Sequence, residues 1–210
     1  METSALKAGG NIYISKEHID DKIAEVAKKY GEFLTALGYD WQNDPNMVKT
    51  PERVAKMYLK EITSGAYSLP PRLAVFPSSG YTGMVTQCNI EVKSLCSHHF
   101  LPFIGVCHIA YLPVTEGKVV GLSKLNRIVH WFAKRPQLQE QLTRQIHDYL
   151  CEVLGDTLGV IVYIEAKHMC VSMRGAEDDS TMITSFCSGN FLNNNLGSRD
   201  EFMRMISNLK

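Results

Sequence analysis

Gly159-Val160-Ile161-Val162-Tyr163-Ile164-Glu165-Ala166-Lys167-His168-Met169-Cys170-Val171-Ser172-Met173-Arg174 is the stretch whose reading decides the fold. Its first half is rich in β-branched and aromatic residues, which suit a pleated, half-buried surface. Side chains along a strand point alternately to opposite faces. Carried through the second half, the alternation puts His168, Cys170, Ser172 and Arg174 on one face and Met169, Val171 and Met173 on the other. The apolar face reads as core. The polar face collects an imidazole, a thiol and a guanidinium, groups that are costly to bury without a task. A second polar group, Cys96-Ser97-His98-His99, lies far upstream. Together the two segments offer a pair of thiols and a histidine for one zinc ion, with further histidines beside it. Three protein ligands leave one tetrahedral position open for water, the mark of a catalytic rather than a structural zinc. Zinc-bound water loses a proton near neutral pH, so such a site hydrolyses. On the residues alone the alternative is a core thiol with a hydrogen-bonded histidine beside it.

Outward from this stretch, the pattern continues. Gly159–Glu165 and His168–Arg174 read as a hairpin-like pair of strands. Upstream, Met84–Leu95 and Ile104–Pro113 read as neighbouring strands joined by the Cys-Ser-His-His turn. A first helix runs from Ser15 to about Leu37, its apolar stripe formed by Ile19, Ile23, Val26, Tyr30, Phe33, Leu34 and Leu37. Thr50-Pro51 starts a second helix. Gly121-Leu122-Ser123-Lys124 opens a third, whose free N–H groups and dipole favour an anion. Pro136 breaks that helical region, and the half after it buries Leu138, Leu142, Ile146, Tyr149, Leu150 and Val153. Four strands with helices between them and at the ends predict an α+β domain with a four-stranded antiparallel sheet, covering residues 50–210. Residues 1–49 read as an arm, loose from Met1 to Tyr13, followed by its helix. A small antiparallel sheet has open edges, and edge-to-edge ring assembly closes them.

The chain has 210 residues, enough for one domain with an extension. Lys and Arg number 22 and so do Asp and Glu, so no overall charge draws it to nucleic acid or membrane. No apolar run is long enough to span a bilayer, and Met1–Gly10 has no apolar leader core. A cytoplasmic home is expected, where thiols stay reduced and open to a metal. Cys88, Cys107 and Cys151 read as small buried hydrophobes.

Five segments in register resemble the GTP cyclohydrolase I family. They are Thr50-Pro51-Glu52-Arg53-Val54-Ala55-Lys56-Met57-Tyr58, Cys96-Ser97-His98-His99-Phe100, Gly121-Leu122-Ser123-Lys124-Leu125-Asn126-Arg127, Arg135-Pro136-Gln137-Leu138-Gln139-Glu140 and His168-Met169-Cys170-Val171-Ser172-Met173-Arg174-Gly175. The resemblance implies a zinc-dependent enzyme that turns GTP and water into formate and 7,8-dihydroneopterin triphosphate. It implies zinc on Cys96, His99 and Cys170, proton transfer at the purine by His168, and His98 beside the ribose and ring-opening step. It places Glu140, with Gln139 near it, at the guanine edge. It places Arg53, Lys56, Ser123, Lys124, Arg127 and Arg174 around the triphosphate and ribose. The implied fold is the tunnelling fold, whose subunits join sheets into rings, with two pentamers stacked as a homodecamer. Many members of the family have Glu where this chain has Ser97, which alters the charge beside the site.

Two rivals bear on the same residues. Tunnelling-fold nitrile reductases use a cysteine nucleophile with NADPH, and the set Cys96, His99, Cys170 and His168 argues against them. A structural zinc module would close its site with a fourth Cys or His.

Overall fold

The computed structural model describes residues 5–209. In chain order it opens with α1 (Lys16–Ala36), α2 (Thr50–Lys56), β1 (Val75–Pro77), β2 (Val85–Cys96), β3 (Pro102–Pro113) and β4 (Lys118–Val120). It continues with α3 (Leu122–Ala133), β5 (Pro136–Gln137), α4 (Gln139–Leu154), β6 (Thr157–His168), α5 (Met169–Ser172), β7 (Thr181–Cys187) and α6 (Ser198–Ser207). The chain is α+β. Its main sheet has five strands in the order β5-β2-β3-β6-β7, and β1 pairs with β4 in a separate ribbon. The long strands β2, β3, β6 and β7 are antiparallel neighbours, while β5 lies parallel to β2. The expected four-stranded antiparallel sheet is thus extended by a short parallel edge strand.

The fourth long strand is Thr181–Cys187, not His168–Arg174. β6 keeps its β3 partner only as far as the pair Phe103↔His168. Beyond it β3 has ended, and the chain there is the turn that joins β2 to β3. A segment without a neighbouring strand has no ladder to satisfy its N–H and C=O groups. Met169–Ser172 therefore closes a helical turn, with Met173 N–H donating to Met169 O at 3.0 Å. The chain returns at β7, which pairs Thr181 with Lys167 and Cys187 with Ile161.

The core follows the strand period. Val160, Val162, Ile164 and Ala166 of β6 are buried on one face against α3 and α4. α3 contributes Leu125, Ile128, Val129 and Phe132, and α4 contributes Leu142, Ile146, Leu150 and Leu154. Each fully buried side chain of this size contributes about 1.5–3 kcal/mol relative to exposure. Ile161 points to the other face and meets Phe191, Phe202 and Ile206. Ile23 of α1 packs on Ala55 of α2 and on Leu59 of the π-helical segment Met57–Ile62 that continues it, whereas Phe33 and Leu37 of the expected stripe are exposed. Met1 to Ser4 of the expected loose arm lie outside the described residues. The following segment is docked: Gly9 N–H donates to Pro136 O at 2.9 Å, and Ile12 N–H to Ala66 O at 2.8 Å.

This topology converges the chemistry. β2 and β6 are both antiparallel to β3, so they run the same way and end at the same side of the sheet. β5 pairs Cys96 with Gln137, immediately before α4 starts. The ends of β2 and β6 and the start of α4 therefore meet.

Candidate metal centre and substrate cavity

Cys96 closes β2 and is buried. The chain then turns tightly, with Phe100 N–H donating to Cys96 O at 2.9 Å and Cys96 N–H to Leu101 O at 2.8 Å. His98 and His99 project from this turn and are exposed. Cys170 sits on the helical turn α5, which carries its sulfur toward Cys96. A sulfur from each of Cys96 and Cys170 and a ring nitrogen of His168 lie within 4.8 Å of one another. This is the one such group among the described residues. Burial and then the Cys96 sulfur hold the Cys170 thiol above its ordinary value, with Arg174 opposing. Two sulfurs and an imidazole are the donor chemistry of zinc.

His168 is held from two sides. Its ring stacks on Phe103, with centroids 4.6 Å apart and planes 10° apart. Its Nε2 lies 2.8 Å from Gln139 Oε1. The Gln139 amide orientation is fixed by its other end: Nε2 donates to Ile164 O at 3.2 Å and to Met182 O at 3.1 Å. Carbonyl oxygens only accept, so Oε1 faces the histidine and His168 Nε2 carries the proton. In the neutral ring the lone pair is then on Nδ1. Burial lowers the His168 pKa from its ordinary value, and the charge of Glu140 works the other way.

A cavity of about 280 Å³ opens over these groups. Cys96, His98, Gln139, Glu140, His168 and Cys170 line it, with Val171 and Met182 as apolar wall. Glu140 is exposed in the first turn of α4, where the helix dipole favours a carboxylate. A larger cavity of about 370 Å³ lies under the N-terminal arm, between Leu6, Tyr58, Tyr67 and Phe100, and its lining has no thiol or imidazole.

Apart from Gln139, the remaining expected site residues do not line this cavity. His99 lies outside the donor trio, its Nε2 2.9 Å from Arg174 Nη1. A guanidinium only donates, so His99 Nε2 accepts there. Arg53 and Lys56 on α2 and Ser123 and Arg127 on α3 are exposed, Lys124 is half-buried, and none of the five lines the cavity. Gln139, expected near the guanine edge, turns its amide inward and is 1% exposed. Its hold on His168 was not legible in the sequence, because it depends on which strands lie beside α4. The same holds for Phe103, whose pairing with His168 appears only once β3 and β6 are in register.

An α+β scaffold with two thiols, imidazoles and a carboxylate converging on one cavity is the arrangement of an enzyme site, and its donor trio could hold a metal ion. Residues 26–207 match the family model described as GTP cyclohydrolase I. A protein from Flavobacterium johnsoniae named GTP cyclohydrolase 1 is 44% identical over 82% of this chain and 77% of its own. Its namesake from Blochmanniella pennsylvanica is 42% identical over 98% of this chain and 89% of its own. That from Pseudoalteromonas translucida is 46% identical over 87% of this chain and 97% of its own. The chain belongs to the GTP cyclohydrolase I family and is an enzyme of that type.

Proposed function

We propose that this enzyme binds zinc through Cys96, Cys170 and His99 and converts GTP and water to formate and 7,8-dihydroneopterin triphosphate, the entry to tetrahydrofolate and related pterins. The observation that carries this is the convergence of two sulfurs and His168 beneath a cavity rimmed by Glu140. When bound, zinc would act as a Lewis acid and make water a nucleophile near neutral pH.

The chain's own residues do the rest. Carbon 8 of guanine is a poor electrophile until nitrogen 7 is protonated, and His168 is the imidazole placed to move that proton. Its clamp by Gln139 and Phe103 holds one ring orientation, as an acid–base group requires. His98, exposed on the turn, serves the ribose and ring-opening step. Glu140 accepts from the guanine N–H and amino group, a donor pair that adenine lacks. Arg53, Lys56, Ser123, Lys124, Arg127 and Arg174 hold the triphosphate and ribose by charge-assisted hydrogen bonds. None of the six lines the cavity of its own chain, which supports pockets completed by neighbouring subunits. We place the enzyme in the cytoplasm as a homodecamer of two stacked pentameric rings with the tunnelling fold. No helix among the described residues is long and apolar enough to cross a membrane.

Two imidazoles compete for the third ligand position. His168 already donates Nε2–H to Gln139, while His99 follows Cys96 by three residues on a tight turn. Metal analysis of two variants decides between them. His99→Ala is expected to lose zinc and turnover together. His168→Ala is expected to keep zinc and lose on the order of a hundred- to ten-thousandfold in turnover. Zinc retained in His99→Ala and lost in His168→Ala would reverse the assignment.

A further inference from the structure

A second polar cluster lies on the flank of α4, about 12–18 Å along the helix from Gln139 at 1.5 Å rise per residue. His147 is 4% exposed and is engaged at both ring nitrogens. Nδ1 lies 2.9 Å from the Asp148 carboxylate, and Nε2 lies 3.0 Å from Ser188 Oγ, just past β7. Cys151 is one helical turn on, on the same face. Its Sγ is 3.6 Å from His147 Nε2, 4.0 Å from Nδ1 and 3.8 Å from Ser188 Oγ. Asp148 is itself held by Arg144 Nε at 3.3 Å, and the Phe186 ring lies edge-on to the imidazole at 4.8 Å. The sequence pattern suggested a plain core thiol, but Cys151 is only half-buried and keeps a face open.

We propose that Cys151 is a nucleophilic thiolate paired with His147, a modification site for small electrophiles and peroxides. The arrangement is that of an activated nucleophile: a thiol beside an imidazole that a carboxylate orients. Burial raises the Cys151 pKa, but the hydrogen bond and charge of His147 outweigh it and leave the thiol below its ordinary value. Burial lowers the His147 pKa, and Cys151 and Asp148 together reverse it to a net rise. Both directions favour the ion pair. With hydrogen peroxide, the sulfur lone pair attacks one oxygen and the O–O bond breaks. Sulfur is oxidised to a sulfenic acid, peroxide is reduced, and the leaving hydroxide takes the His147 proton to depart as water. With iodoacetamide, an S–C bond forms and iodide leaves.

Iodoacetamide labelling of the metal-loaded protein, followed peptide by peptide by mass spectrometry, tests this. Cys88 and Cys187 are half-buried thiols outside the cluster and act as internal controls. Cys151 is expected to label at least tenfold faster than either at neutral pH. Its rate should rise through a midpoint below the ~8.5 of a free thiol. His147→Gln should move that midpoint up. A Cys151 rate no greater than that of Cys88 and Cys187, or a wild-type midpoint at or above the free-thiol value, would overturn the proposal. The wild-type profile alone decides it if His147→Gln does not fold. Cys151→Ala is expected to keep its bound metal and turnover, which separates this thiol from Cys96 and Cys170.

Discussion

Gln139 shows how much a single amide can fix. It is buried at the first position of α4, and it joins α4 to β6, β7 and His168 through one side chain. Its carbonyl sets the His168 tautomer, and its NH₂ group has three acceptors around it. Gln139→Met keeps the volume and removes the hydrogen bonds. The half-buried His168 N–H would lose its partner, and the ring would be free to turn about its stack on Phe103. Turnover of GTP is expected to fall on the order of 10–100-fold with zinc retained, the usual cost of removing a group that orients a site residue. Unchanged turnover in this variant would mean that the stack on Phe103 alone positions the ring.

At the scale of elements, what the sequence disclosed depended on how local the cause was. The amphipathic repeat of Leu142, Ile146 and Leu150 is carried by α4 itself, and it was legible, whereas Leu154 rather than the expected Val153 completes the buried face. So was the break at Pro136, which the structure uses as the short strand β5. The end of β6 was not legible. His168–Arg174 alternates like a strand, but the length of its partner β3 decides where pairing stops. Cys170 reaches Cys96 from a helical turn as a result. The N-terminal arm is a similar case. Its sequence is short and unpatterned, yet Gly9 O accepts from Arg135 Nη1 at 3.0 Å and from Gln145 Nε2 at 3.1 Å. Arg135 lies over the Trp131 ring at 3.8 Å, and burial lowers its pKa to about 10. Deleting residues 1–13 should cost about 1–3 kcal/mol, the lost hydrogen bonds being partly offset by regained chain entropy. Chemical denaturation measures this directly, and an unchanged midpoint would show that the arm contributes nothing to stability.

At the scale of the whole molecule, the site is split. The donors and Glu140 share one cavity, but the cations we propose for the triphosphate sit on α2 and α3, away from it. A net charge of zero gives no general attraction for a polyanion, so those cations must be brought to the cavity locally. β7 forms one outer edge of the sheet and exposes Ile183 and Phe186, apolar side chains that a neighbouring subunit would cover. Assembly would close the edge and complete the pocket together. The most direct test of the account is formate release from GTP, assayed across a size separation of the purified protein. Formate with the pterin chromophore is expected in species several times heavier than the 23.6 kDa chain, and none from Cys170→Ala. Absence of formate from the metal-loaded wild type, or full activity at the mass of a single chain, would contradict it.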